Sequence, residues 1–356
     1  MSVAYGPAGR VFVVPAQSTM QWWVDCIFPA LLFWLRKGDS MIHFTDAQID
    51  ELIDIDDAIP ALERGFRDLA NGRAAVQPRI RTEAGGVKLS TLGAVLPEQG
   101  VAGAKVYSTI GGRFNFSIVL FSTVDGRLLA TLDANTITRI RTAATTVLAV
   151  RALAAKHAKT AAIFGTGVQG RAHALALAGH TGLRSFRIVG LEAMHELAAE
   201  VEVAGASRGV EAVVCDAADA VRGADVIVTA TRATGALFDG TTVAPGTVVA
   251  AIGSSLPTTR ELDDALIARA SRIVVELRQQ AREEAGDLLL AQPGTFRWAD
   301  TVELGDVLVG NAKGRVQDDD VIVYKAVGIG LQDIVLAGIA WEKHLRRPGC
   351  SLVYAR

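Results

Sequence analysis

The chain has 356 residues, 50% of them hydrophobic and 21% charged, with a formal net charge of −2. That length suffices for two domains, and the near-neutral balance excludes a basic field able to hold nucleic acid or an acidic membrane surface, leaving small-molecule chemistry. Cys26, Cys215 and Cys350 lie far apart without CxxC spacing, which argues against a disulfide framework or zinc site and for a reducing cytoplasm. His173 and His180 share a predicted helix without a ligand pattern, so no metal is expected.

In chain order, the first forty residues differ from the rest. Trp22, Trp23, Phe28, Leu31, Leu32, Phe33, Trp34 and Leu35 form an apolar block that Asp25 and Pro29 interrupt. It falls short of the roughly 20 apolar residues that span a bilayer, and a single Arg10 without a small-residue cleavage site fits a signal peptide poorly. Globular patterning starts at Met41, which is expected to be the true start, with residues 1–40 a non-native or disordered extension. Thr45 opens a capped helix, and Ile55 to Leu69 continues helical periodicity. Runs at Gly103–Ser108, Phe116–Phe121 and Leu128–Leu132, with an Asp125-Gly126 turn, predict an antiparallel or mixed sheet.

From Thr142 an alanine-rich helix leads to His157. Candidate strands Ala161–Gly165, Phe186–Gly190, Ala212–Cys215, Asp225–Ala230, Val248–Ile252 and Arg272–Glu276 then alternate with helical or loop material, which implies a doubly wound parallel sheet of the α/β class. After the polar stretch Lys313–Asp320, Val321–Lys325 leads into an apolar helix to about Leu345 that is expected to return to the first domain. The organisation read from this is a substrate domain of residues 41–145 plus 315–345, with a dinucleotide domain of residues 146–314 inserted and a ligand cleft between them.

The apolar run Thr160–Phe164 ends in Gly165-x-Gly167-x-x-Gly170. Gly165 permits the tight turn, Gly167 lets the backbone approach a pyrophosphate, and Gly170 allows close helix packing, while Val168 and Gln169 open a helix whose unpaired N–H groups face phosphate. A plain turn is the alternative. The segment ending at Glu192 has neither an acid nor an arginine in the usual place after the second strand; Glu192 reaching the ribose favours NAD over NADP, and it is equally a first-turn helix acid. Lys105, Arg141 and Arg81 are charges set in apolar or small-residue runs. Each has a plain reading as an edge lysine or surface arginine, whereas together two guanidiniums and an ammonium suit an amino or imino acid.

Arg141-Thr-Ala-Ala, Gly165-Thr-Gly-Val-Gln, Ala224-Asp-Val-Ile-Val-Thr-Ala-Thr, the segment from Ile252 to Asp263 and Glu284-Ala-Gly-Asp-Leu resemble the ornithine cyclodeaminase and mu-crystallin family, from about Met41 to about His344. The resemblance implies a Rossmann domain inserted in an α+β substrate and dimerisation domain, a homodimer, and NAD or NADP held by Gly165, Gly167, Val168, Gln169, Gly170, Glu192, Thr231, Gly253 and Ser254. It also implies Arg81 and Arg141 on the substrate carboxylate, Arg79 being an alternative to Arg81, and Lys105 over the reacting carbon and nitrogen.

Two positions depart from the deaminating members of that family: Ser255 stands where they carry Asp, and Ala94 where they carry Glu. Cyclodeamination needs a carboxylate base for the ammonium substrate, work for which serine is a poor replacement. The expectation is therefore reduction of a cyclic imino acid, Δ1-pyrroline-2-carboxylate to L-proline or its six-membered homologue to L-pipecolate. The alternatives are an ornithine cyclodeaminase, an amino-acid dehydrogenase of the alanine dehydrogenase kind, and a non-enzymatic crystallin-like binding protein.

Overall fold

Period-two alternation builds the first sheet of the computed structural model, which describes residues 2–5, 11–14 and 42–347. The chain divides into two compact units, Met1–Ile42 and His43–Arg356. In the first, β1 (Ser2–Tyr5) pairs antiparallel with β2 (Val11–Val14); the expectation of an extension over residues 1–40 otherwise lies outside the described residues. A six-stranded sheet contains β3 (Ile42–Phe44), β4 (Ala75–Ala84), β5 (Val87–Leu96), β6 (Val101–Ile110), β7 (Arg113–Ser122) and β8 (Leu128–Asp133), in the order β3-β8-β7-β6-β5-β4.

Along β6, Val101, Lys105 and Tyr107 are buried on one face, while Ile110 on the other is exposed. Lys105 therefore shares its face with Val101, and Val106 faces the other way. Capping boxes at Thr45 and Asp54 start α1 (Asp46–Leu52) and α2 (Ile55–Ala70). The next helix, α3 (Asn135–Leu153), begins about two turns before the expected Thr142. Ala134 offers no side-chain cap, and Thr136, Ile137 and Thr138 are poor helix formers by themselves, so packing rather than propensity extends it. Arg141 consequently sits inside a stretch buried on every side, from Ile140 to Val150, and not ahead of the helix.

The second sheet is wholly parallel. Its strands are β9 (Thr160–Phe164), β10 (Ser185–Val189), β11 (Glu211–Val214), β12 (Val226–Thr229), β13 (Val248–Ala251), β14 (Arg272–Val275), β15 (Val302–Glu303) and β16 (Ile322–Lys325), in the order β11-β10-β9-β12-β13-β16-β14-β15. The central strands are buried on both faces, as their unbroken apolar runs require. Strand order reverses between β9 and β12, which puts the ligand crevice at their carboxyl ends.

The domain boundary expected at 315 is displaced by this sheet. Val321–Lys325 was assigned to the substrate domain, yet β16 is hydrogen-bonded between β13 and β14. A parallel strand is recruited by a partner distant in sequence, and nothing local marks it. The chain crosses back over residues 326–329 into α5 (Gly330–Leu345), which packs on α2, β5 and β6. Helix α4 (Val168–His180) follows β9 and lies against α3. Among the described residues no helix is long and apolar enough to cross a membrane.

Candidate active site

The three loop glycines meet different constraints. Gly165 has φ +107°, and a Cβ there would lie 2.5 Å from Ala230 O; a Cβ on Gly170 would lie 1.8 Å from Gly165 O. At Gly167 a Cβ would meet nothing within 4 Å. Gly167 is the N-cap of α4 and supplies no side-chain cap, and Val168 beyond it is exposed. The first N–H groups of α4 thus face open space at a bare helix terminus, an arrangement that fits a pyrophosphate. Gln169 Oε1 beside them is buried without a partner.

Neighbouring strand ends complete this side. Thr231 N–H and Oγ1 donate to Glu261 at 2.8 and 2.7 Å, and Gly253 N–H donates to the same carboxylate at 2.8 Å. A Cβ on Gly253 would come within 2.3 Å of Thr231 O, and one on Gly165 within 3.3 Å of the Thr231 side chain, so the three residues stand together after β9, β12 and β13. Ser254 is buried; its hydroxyl is engaged by Thr259 O and Thr259 Oγ1, and its carbonyl accepts from the buried Lys325 Nζ. Glu192 is exposed, with its carbonyl tied to the glycine loop by Thr166 Oγ1 at 2.7 Å. Beneath this wall Lys325 and Asp287 form a fully buried ion pair at 2.9 Å, and Asp287 accepts from Glu261 N and Leu262 N.

The cations gather on the opposite side. Lys105 is 2% exposed, and its Nζ donates to Asp333 Oδ1 at 2.7 Å and Thr138 Oγ1 at 3.2 Å, with the Phe116 ring centroid 5.1 Å away. Arg141 Nη1 donates to Gln332 Oε1 at 2.8 Å, and its Nε lies 3.5 Å from the same Asp333 Oδ1. Gly328, with φ +76°, lets this guanidinium pack on bare backbone, since a Cβ there would lie 2.7 Å from Arg141 Nη1. Burial pushes the Lys105 ammonium down to about 8; Asp333 opposes that shift, while Arg141 and Arg79 add to it. Neither residue has the plain surface role that the sequence left open.

Arg79 and Arg81, two apart on β4, both pair with Glu284. Arg79 is buried and also donates to Val327 O at 3.1 Å and Gly328 O at 2.9 Å, so it braces the crossing at 326–329. Arg81 keeps 22% of its side chain exposed and donates to Ser255 O at 3.3 Å. Burial raises the Glu284 carboxyl above its ordinary range, against the pull of both arginines. Ser255 is half-buried beside Arg81, and Ala94 is buried within β5.

Several residues of this region went unread in the sequence. Asp333 and Gln332 hold Lys105 and Arg141; Glu276 accepts from Gln332 Nε2 at 2.6 Å and from Val327 and Gly328 N–H at 3.0 and 2.6 Å. The available signal was polar residues within an otherwise apolar helix, Ile329 to Ala340, where a buried charge requires a partner.

The model of the ornithine cyclodeaminase/mu-crystallin family matches residues 40–347. A Δ1-pyrroline-2-carboxylate reductase of Bacillus cereus is 34% identical over 293 residues, 80% of this chain and 86% of its own length. Among solved structures, a probable ornithine cyclodeaminase from Bordetella pertussis Tohama I is 49% identical, with a TM-score of 0.83 over 87% of this chain and 99% of that one. The Thermococcus litoralis Δ1-pyrroline-2-carboxylate reductase, in complex with NADH and L-proline, is 26% identical, with a TM-score of 0.79 over 86% of this chain and 98% of that one. With its glycine loop and buried cation cluster inside the matched span, the chain belongs to the ornithine cyclodeaminase/mu-crystallin family.

Proposed function

We propose that the protein is an NAD(P)H-dependent reductase of a cyclic imino acid, converting Δ1-pyrroline-2-carboxylate to L-proline or Δ1-piperideine-2-carboxylate to L-pipecolate. One observation carries this choice over deamination. The two carboxylates that touch the cluster's cations are already ion-paired, Asp333 with Lys105 and Arg141, and Glu284 with Arg79 and Arg81. Ser255 and Ala94 stand where the deaminating members carry Asp and Glu, and the other buried carboxylate of this region, Glu276, is engaged by Gln332 Nε2 and by the Val327 and Gly328 N–H groups, so each of these carboxylates is already committed to other groups of the protein rather than to an ammonium substrate. A cyclic imine asks less of the protein.

A bound nicotinamide would supply hydride to the imine carbon. Arg141 and the open side of Arg81 hold the substrate carboxylate, and Lys105, protonated below about pH 8, holds or delivers the proton at the imine nitrogen. The burial of Lys105 and Arg141 keeps water from the reacting atoms. Gly165, Gly167, Val168, Gln169 and Gly170 cradle the pyrophosphate, with Thr231, Gly253 and Ser254 as the adjoining wall and Glu192 toward the ribose. NAD is the preferred cofactor, an assignment supported by Glu192 and by the NADH bound to the Thermococcus relative. The outer face of the antiparallel sheet exposes Ile80, Leu89, Val95, Ile110 and Phe121, an apolar surface that suits a second copy in a homodimer.

The Bordetella neighbour bears the name of a probable ornithine cyclodeaminase, and that reaction is the competing one. The test follows NADH and NADPH consumption with the five- and six-membered imines and with pyruvate plus ammonia, and measures ammonia release from ornithine. Imine reduction is expected to dominate. Ornithine turnover exceeding it would overturn the assignment.

A further inference from the structure

Asp333 occupies a place where a helix has no ordinary use for an acid. Around it Leu331, Ile334, Val335, Leu336 and Ala337 are fully buried, and so is Asp333 itself. An unpaired carboxylate there is strongly disfavoured. Its Oδ1 takes both cations, Lys105 Nζ at 2.7 Å and Arg141 Nε at 3.5 Å, while its buried Oδ2 has no hydrogen-bond partner. Lys105 comes from β6 and Arg141 from α3, so two like charges from separate elements are held side by side by one oxygen from a third.

The groups facing Lys105 are few. Asp333 comes from α5, Arg141 and the Thr138 hydroxyl from α3, Arg79 from β4, and the Phe116 ring from β7, with Leu92 its cross-strand neighbour on β5. Of these Asp333 alone is an anion. Thr138 Oγ1 already donates to Ala134 O, so it offers the ammonium a neutral oxygen only.

We propose that Asp333 is a positioning residue that locks Lys105 and Arg141 into one rigid pair, presenting the ammonium and the carboxylate-holding guanidinium at a fixed separation. What the pair does rests on the reductase reading; the existence of the pair does not. Asp333 also holds the proton on Lys105 against burial and against the two arginines, so the ammonium loses that support when the negative charge is removed.

The test is Asp333→Asn, which keeps shape and removes charge. The Lys105 midpoint, followed by the Nζ signal of nitrogen-15-labelled lysine and assigned by its absence from Lys105→Met, is expected to fall by about one pH unit or more below its wild-type value. The alkaline limb of reductive kcat should move down with it, giving a loss of about fivefold or more at pH 8 and a much smaller loss at pH 6. A merely structural aspartate would lower activity by the same factor at every pH and leave the midpoint in place, which would overturn the proposal. Where Asp333→Asn fails to fold, Asp333→Ala is assayed with formate, whose carboxylate fits the vacated volume. Restoration of activity and of the limb by formate supports the role, and a folded variant that formate does not restore refutes it. If the wild-type enzyme reduces no imine, the reductase reading falls by itself, and the lysine titration still decides the role of Asp333.

Discussion

Gly170→Ala perturbs the glycine loop at its tightest point. A Cβ there would lie 1.8 Å from Gly165 O and 2.6 Å from Gly165 C, both backbone atoms, so no flexible side chain can yield. Restoring a carbon–oxygen contact of roughly 3.3 Å requires the helix start and the loop to separate by about 1.5 Å. That movement takes the first N–H groups of α4 out of range of a pyrophosphate held against Gly167. Losing two hydrogen bonds to a charged group, about 1.5–3 kcal/mol each, weakens cofactor binding by about a hundred- to ten-thousand-fold. NADH fluorescence titration measures the change, and circular dichroism with thermal unfolding confirms that the variant is folded. Gly167→Ala is the companion variant: its Cβ meets no protein atom, so it should leave stability unchanged while still weakening NADH binding. A folded Gly170→Ala with NADH affinity within about threefold of wild type would refute the role assigned to the loop.

The remaining predictions concern charge. With Lys105 titrating at about 8, its protonated fraction falls from about nine-tenths at pH 7 to about one-tenth at pH 9, so reductive kcat should drop about tenfold over that interval; a flat profile would remove Lys105 from the proton's path. Arg141→Ala should raise KM by about ten- to a hundredfold with less effect on kcat, whereas Lys105→Met should act chiefly on kcat, and steady-state kinetics that reverse this split would exchange the two roles. His173 is fully buried between Gln169 O and Thr146 Oγ1, and burial pushes its imidazole from 6.5 down to about 4. Because the folded-state value is the lower one, its stability contribution is complete above 6.5 and lost progressively as pH falls toward 4. By pH 5 the loss is about 2 kcal/mol. Urea unfolding at pH 7 and pH 5 reads it, and His173→Gln should show a smaller difference between the two; equal pH sensitivity in both proteins would exclude the histidine as the cause.

What the sequence disclosed follows the range of the interactions involved. The glycine loop was legible because a strand, a turn and a helix start all lie within Thr160–Gly170, and the constraints at Gly165 and Gly170 are local backbone contacts. Lys105 and Arg141 were visible as charges among apolar neighbours, but their plain surface readings remained open, since burial depends on which strands and helices close over them. Asp333 lies more than two hundred residues from Lys105, and no spacing rule joins them. Glu284 entered only as part of a family motif, although it is the residue that pairs with both β4 arginines. Strand β16 falls within the span read as substrate domain, yet lies in the parallel sheet, for the same physical reason: a parallel strand is placed by distant partners. The start of α3 was missed because burial, and no cap, determines where it begins.

Hydride delivery to an imine carbon leaves an isotopic record that simple binding does not produce, and net consumption of NADH separates it from deamination, in which the cofactor is regenerated. NADH carrying deuterium at the transferable position of the nicotinamide, incubated with the protein and Δ1-pyrroline-2-carboxylate or its six-membered homologue, should yield L-proline or L-pipecolate with one deuterium on the carbon bearing the carboxylate, in step with NADH consumed. Deuterium absent from that carbon, or ornithine converted to proline and ammonia with no net loss of NADH, would contradict the assignment of this buried lysine and arginine cluster to imine reduction.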